Sequence, residues 1–183
     1  MDKKEFAKKI YNKLIKNYPE AACSLNHRDP WQLLIATILS AQCTDKQVNK
    51  VTNVLFDKYK NVSELANADL NEIKQIIRPT GFYNNKAKSI KGASEYIIDN
   101  NNGKVPDSMD ELLNLPGVGR KTANVVLGDG FGTPGVVVDT HVKRISNRLG
   151  LTENSNPEKI EQDLMKILPR ENWTPFGHLM IAH

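Results

Sequence analysis

The sequence predicts an all-α protein. Apolar residues recur at helical spacing along nearly the whole chain, and capping residues stand in front of most of those runs. The one candidate strand, Val136-Val137-Val138, is three residues long and has no partner run, so it reads as a buried extended connection.

The elements follow in order. Phe6, Ile10, Leu14 and Ile15 mark one face of a first helix that ends near Tyr18-Pro19. Asp29-Pro30 is an N-cap followed by proline at the first helical position. Trp31 to Leu39 is apolar almost all round, the pattern of a central, buried helix, and it breaks at Ser40-Ala41-Gln42-Cys43. Thr44-x-x-Gln47 has the form of a capping box ahead of a stripe of Val48, Val51 and Leu55. Asp69-x-x-Glu72 opens a short helix with Ile73, Ile76 and Ile77 inward, and Arg78-Pro79-Thr80-Gly81 stops it. Lys86 to Asp99 is helical, with Ile90, Ala93 and Ile97 on one face and an end at Asn100-Asn101-Asn102-Gly103. Ser108-x-x-Glu111 caps the next helix.

That helix runs into Leu115-Pro116-Gly117-Val118-Gly119-Arg120-Lys121, and a further helix spans Thr122 to Leu127. Gly128 to Gly135 holds four glycines and a proline and reads as a loop or hinge. Asp139 caps a helix carrying Val142, Ile145 and Leu149, with Gly150 as its stop. Asn156-Pro157 and Thr174-Pro175 open the last two helices. The final one carries Phe176, Leu179, Met180 and Ile181 and shows no stop signal before His183, which suggests an element cut in its middle. The expected total is nine or ten helices, with breaks after the first helix and in the Gly-rich stretch near residue 130.

Composition narrows the function. At 39% hydrophobic and 25% charged, the chain has the make-up of an ordinary globular protein. No apolar run approaches the roughly 18 residues of a membrane span, and no signal-peptide core follows Met1-Asp2-Lys3-Lys4-Glu5. The reading is of an intracellular protein of cytoplasm or nucleoid, with no membrane partner. A net charge of +4 is compatible with a polyanionic partner and does not require one. Cys23 and Cys43 read as thiols rather than a disulfide, and the four histidines show no metal-site spacing.

The Gly-x-Gly turn is the chemically pointed feature. It lets the backbone approach a ligand closely, and the helix behind it aims N–H groups and a positive dipole end at the same place. Together with Arg120 and Lys121 this is an anion site, suited equally to a nucleotide, a metabolite phosphate or a nucleic-acid backbone. Lys121 itself has two readings. It is a solvated helix lysine, or an amine whose pKa is lowered by the helix start and by Arg120, making it a nucleophile for Schiff-base chemistry. Asp139 is an N-cap first, and also a carboxylate that can be held ionised near a reaction centre. His141 reads as a packed or solvent histidine, with acid or base as the alternative. Gln42 is either a local cap or a probe that fills a hole in a base stack. Phe82, in Gly81-Phe82-Tyr83-Asn84-Asn85-Lys86, either folds back on the core or acts as an exposed wedge beside Lys86 and Lys88.

Taken together these motifs resemble the helix–hairpin–helix DNA glycosylases, and within them the endonuclease III family. The resemblance rests on Leu115 to Val126, on Val138-Asp139-Thr140-His141-Val142-Lys143-Arg144, on Leu33 to Asp45, and on Gly81 to Ala87. It runs from about Asn26 to His183. It implies a two-lobed fold: a six-helix barrel lobe over 24–132, holding the helix–hairpin–helix at about 108–130, and a second lobe of 1–23 plus 133–183. It implies a monomer that flips a damaged base out of double-stranded DNA into the cleft between the lobes. There Lys121 of one lobe would attack the sugar C1′ and Asp139 of the other would assist, with β-elimination at the resulting abasic site. The hairpin residues Leu115, Gly117, Val118 and Gly119, with Arg120 and His141, would contact DNA, and the hairpin carbonyls would hold a monovalent cation. Gln42 would fill the vacated stack, and Phe82 would wedge, at a position that is usually leucine, next to Lys86. A lysine at position 121 with Asp139-Thr140-His141 favours a bifunctional glycosylase/lyase acting on oxidised pyrimidines. A monofunctional mismatch glycosylase and a non-catalytic DNA-binding module are the rivals. The family also implies a 4Fe–4S cluster on a four-cysteine loop; neither Cys23 nor Cys43 matches its ligand positions, and the loop would follow His183.

Overall fold

The computed structural model describes residues 2–183, and those residues are helical with no strand. They divide into two compact units, one of residues 24–131 and one of residues 2–23 plus 132–183.

The larger unit is built around α2 (Pro30–Leu39). Asp29 accepts a hydrogen bond from the Gln32 N–H at 2.8 Å, and Pro30 occupies the first turn. Every residue from Trp31 to Leu39 is buried, as expected for a helix without a polar face. Around it pack α3 (Asp45–Lys58), α6 (Tyr83–Asn101), α8 (Arg120–Val125) and the wider π-helical turn Val126–Gly130. The shell is completed by α4 (Val62–Ala66), α5 (Leu70–Ile77) and the single turn α7 (Met109–Leu112).

The smaller unit closes α1 (Lys3–Asn17) against α9 (Thr140–Arg148), α10 (Pro157–Ile167) and α11 (Trp173–Ala182). Its core joins Ala7 and Leu14 of α1 to Val142, Ile160, Leu164, Phe176, Leu179 and Met180, with Val136 and Val138 of the extended connection threaded through it. That connection is buried and is no strand.

Four details differ from the sequence expectation. There are eleven α-helices among the described residues; α4 was missed because it is only five residues long, although Asn61 caps it by accepting from the Glu64 N–H at 2.9 Å. Helix α6 begins at Tyr83, three residues before Lys86, so Phe82, at the end of the preceding loop, is its N-cap. The Gly-rich stretch is helical through Gly130, where the π turn continues α8. Helix α11 starts at Trp173, and Thr174 does not cap it: its hydroxyl donates to the Gly135 carbonyl and accepts from the Gly135 N–H, both at 3.3 Å, pinning the extended connection to the helix.

No helix among the described residues is long and apolar enough to cross a membrane. Leu33 is fully buried in the helix around which the larger unit is packed. Leu33→Ala should therefore lower unfolding free energy by about 2–5 kcal/mol in urea titration; an unchanged midpoint would show that α2 is not the packing centre.

Candidate nucleic-acid interface and active site

The hairpin is set by packing before it does any chemistry. Ser108 caps α7 by accepting from the Glu111 N–H at 3.4 Å, and its hydroxyl donates to the Glu111 carboxylate at 2.7 Å. Leu112 and Leu115 are buried and anchor the strand of chain that follows. The Val118 N–H then donates to the Leu115 carbonyl at 3.1 Å. With proline at 116 and Gly117 at φ +77°, this is the arrangement of a type II turn.

The two glycines do different work. A Cβ on Gly117 would lie 2.6 Å from the Ser89 Cβ, so this turn sits directly on α6, and its φ is also left-handed. Pro116 rests against Gly92, one turn further along the same helix: a Cβ there would be 3.3 Å from the Pro116 Cγ. Gly119 is the opposite case. Its φ of −104° suits any residue, and a Cβ added to it would meet nothing within 4 Å. The fold has no use for a missing side chain at 119. Of the hairpin N–H groups, that of Val118 is consumed by the turn, whereas those of Gly117 and Gly119 take no part in the hairpin's own hydrogen bonds.

Gly119 is the N-cap of α8 and no side chain caps that helix. Lys121 follows in the first turn and is exposed. Arg120 is half-buried and engaged within the protein. The helix begins at Arg120, so both cations belong to its first turn.

Gln42 and Phe82 lie on two further loops of the same unit. Both are exposed, Phe82 to 66%, and both are held in the left-handed region, at φ +53° and +47°. Side chains adopt that region rarely, and such residues concentrate at functional sites. The sequence placed Lys86 beside Phe82 as a DNA contact, and here it needs correction. Lys86 is buried, and its ammonium donates to the carbonyls of Leu39 at 2.9 Å and Thr80 at 2.8 Å. Burial pushes its pKa below the ordinary lysine value, and the Coulombic interaction with Cys43 pulls the other way. A side chain committed to two carbonyls inside the protein is not available to a phosphate.

Helix α6 therefore orders these features along one face. Phe82 stands at its start, Lys86 one turn in, then Ser89 and Gly92 beneath the hairpin; Ile38 of α2, one residue before the Lys86 acceptor, also abuts Gly117. Ser89 and Gly92 went unrecognised in the sequence, although two small residues three apart in a helix were the available signal.

Asp139 and His141 belong to the smaller unit. The Asp139 carboxylate accepts from the Val142 N–H at 2.8 Å through Oδ1, which makes it the N-cap of α9. It is half-buried behind three buried valines, so one oxygen is fixed by the helix while the carboxylate still reaches the surface. His141 is exposed, and its Nδ1 accepts from the Arg144 guanidinium at 3.3 Å.

A family model described as the HhH-GPD superfamily base excision DNA repair protein matches residues 35–170, most of the chain. The chain belongs to that superfamily. It is similar to endonuclease III of Synechocystis sp., at 54% identity over 182 residues, covering 99% of this chain and 83% of that protein. It is also similar, at 47% identity and a TM-score of 0.94, to a solved non-covalent endonuclease III–DNA complex, covering 99% of this chain and 85% of the other. A trapped endonuclease III–DNA covalent intermediate, an estranged-adenine complex, matches with the same identity, TM-score and coverage.

The 4Fe–4S cluster that the family resemblance implies finds no ligand set among the described residues. No three His, Cys, Asp or Glu side chains are grouped to hold a metal, and Cys23 and Cys43 fall in different units.

The contrast between the two hairpin glycines is testable. Gly117→Ala adds a clash and a strained φ, and should cost about 1–3 kcal/mol of stability. Gly119→Ala should melt within about 0.5 kcal/mol of the parent, as a surface substitution does. Equal losses in thermal unfolding would contradict the distinction.

Proposed function

We propose that this chain is a bifunctional DNA glycosylase and abasic-site lyase of base excision repair, and that its substrates are oxidised pyrimidines in double-stranded DNA. The observation that carries the reading is an exposed lysine amine in the turn directly after a Gly-x-Gly hairpin, in a member of a base excision repair superfamily. A relative 47% identical to this chain forms a covalent intermediate with DNA, which supports a nucleophilic rather than a purely hydrolytic route.

In this reading Gly117 and Gly119 grip a backbone phosphate. Gly119 leaves room for it, since nothing of the protein occupies the space where its side chain would be. Lys121 is then delivered to the neighbouring deoxyribose. Its neutral amine attacks C1′, and the damaged base departs with the electrons of the glycosidic bond. Asp139 stabilises the positive charge that develops on the sugar and accepts the proton that the amine gives up as its bond to C1′ forms. The aminal opens to a Schiff base. Loss of a proton from C2′ then expels the 3′ phosphate by β-elimination, nicking the strand 3′ to the lesion and leaving Lys121 to be released by water. Gln42 fills the vacated stack, and the exposed ring of Phe82 wedges the opposite strand.

Borohydride reduction on an abasic duplex tests the lysine. The parent protein should form a stable protein–DNA adduct that Lys121→Gln does not form. Asp139→Asn keeps a capping side chain, and should fold normally while losing at least about a hundredfold in single-turnover nicking, at the low end of what general acid–base groups contribute. Base release without any trapped adduct in the parent would point to the monofunctional route. Equal affinity for intact and abasic duplex, with no nicking, would leave only a DNA-binding module. Gly119→Ala should weaken binding to the abasic duplex while leaving the fold intact.

A further inference from the structure

We infer that Lys86 is a positioning residue that locks the Gln42 and Phe82 loops into a single probing unit. The inference rests on the reading above, that this face of the molecule acts on duplex DNA.

An ammonium has three donors and no acceptor. Two of the Lys86 donors go to carbonyls at 2.9 and 2.8 Å, and those carbonyls belong to different segments, Leu39 at the end of α2 and Thr80 at the end of the turn after α5. Leu39 is three residues before Gln42, and Thr80 is two residues before Phe82. One cation therefore holds the root of both loops. The location suits it, because the C-terminal carbonyls of a helix carry partial negative charge and receive a cation favourably.

Burying a lysine to tie off two carbonyls is otherwise a poor bargain. A plain amide or hydroxyl would satisfy either carbonyl alone. What the lysine adds is reach and a shared donor, so neither loop can shift without disturbing the other. Both loop residues sit in left-handed backbone that isolated side chains avoid, and such conformations persist only where the surroundings over-determine them. The hairpin takes its seat from the next turn of the same helix, at Ser89. Lys86 thus sets the two loops in register with the hairpin through α6.

Lys86→Met keeps the stem and removes the donors. The first test is amide hydrogen exchange by NMR on the free protein. The Ser40 and Cys43 amides report one loop, bonded to Ala36 and Ser40 carbonyls, and the Gly81 and Asn85 amides report the other, bonded to Arg78 and Phe82 carbonyls. All four should exchange at least about tenfold faster in the variant, while Ile160 in α10 is unchanged. Acceleration of one loop only, or of neither, would overturn the inference. Should Lys86→Met fail to fold, Lys86→Arg, with its larger head group, carries the same prediction of joint loosening. The second test is a double-mutant cycle on affinity for an abasic duplex. Gln42→Ala should cost about tenfold in the parent and less than about threefold in Lys86→Met; equal costs in both backgrounds would sink the coupling. A parent with no preference for the abasic duplex would defeat the DNA reading, and the exchange experiment would still decide the role of Lys86.

Discussion

The contact between Gly117 and Ser89 is the constraint on which the candidate site depends. The Gly117 backbone meets the Ser89 side chain there closely enough that a single methyl group would overlap it. Because the turn is pressed against α6, the chain leaves it in one direction, and α8 starts where Gly119 ends. Lys121 is thereby placed by the packing of apolar residues, namely Leu112, Leu115 and Ile38, rather than by any interaction of its own. A nucleophile must sit within a few tenths of an ångström of its productive position, and a rigid, buried anchor is what supplies that precision.

The two glycines show how one motif divides fold from function. Gly117 is required by its left-handed φ and by Ser89; Gly119 is required by neither. The sequence presents them as an identical pair. Only the surroundings distinguish a glycine that makes room for the protein from one that makes room for something else. Under the proposed mechanism Asp139 carries a comparable double duty. It caps α9 through one oxygen, which fixes its rotamer, and it sits at the end of a buried valine segment that fixes its backbone. The capping reading and the chemical reading are compatible, since the cap is what holds the carboxylate still.

Much of this was legible before the structure. Period and caps predicted α1, α2, α3, α5, α9 and α10 because each pairs a capping signal or a clear stop with a strong apolar stripe or, in α2, an unbroken apolar run. The losses have physical causes. Helix α4 is too short to show a period, and α6 extends back to Tyr83 through polar residues that carry no stripe. Thr174-Pro175 imitates a cap but is used to hold Gly135. Lys86 is the most instructive miss. A lysine behind Asn84-Asn85 reads as surface, and its partners are backbone carbonyls of Leu39, 47 residues away, and Thr80. Backbone acceptors have no sequence signature, so no pattern in the chain announces such a contact.

The central claim is that the hairpin delivers one particular amine to a sugar carbon. It is tested most directly by locating the bond. After borohydride reduction on an abasic duplex, followed by proteolysis and tandem mass spectrometry of the cross-linked peptide, the account predicts the sugar remnant on the Lys121 Nζ and on no other side chain. A remnant on another lysine, or on the N-terminal amine, would contradict it.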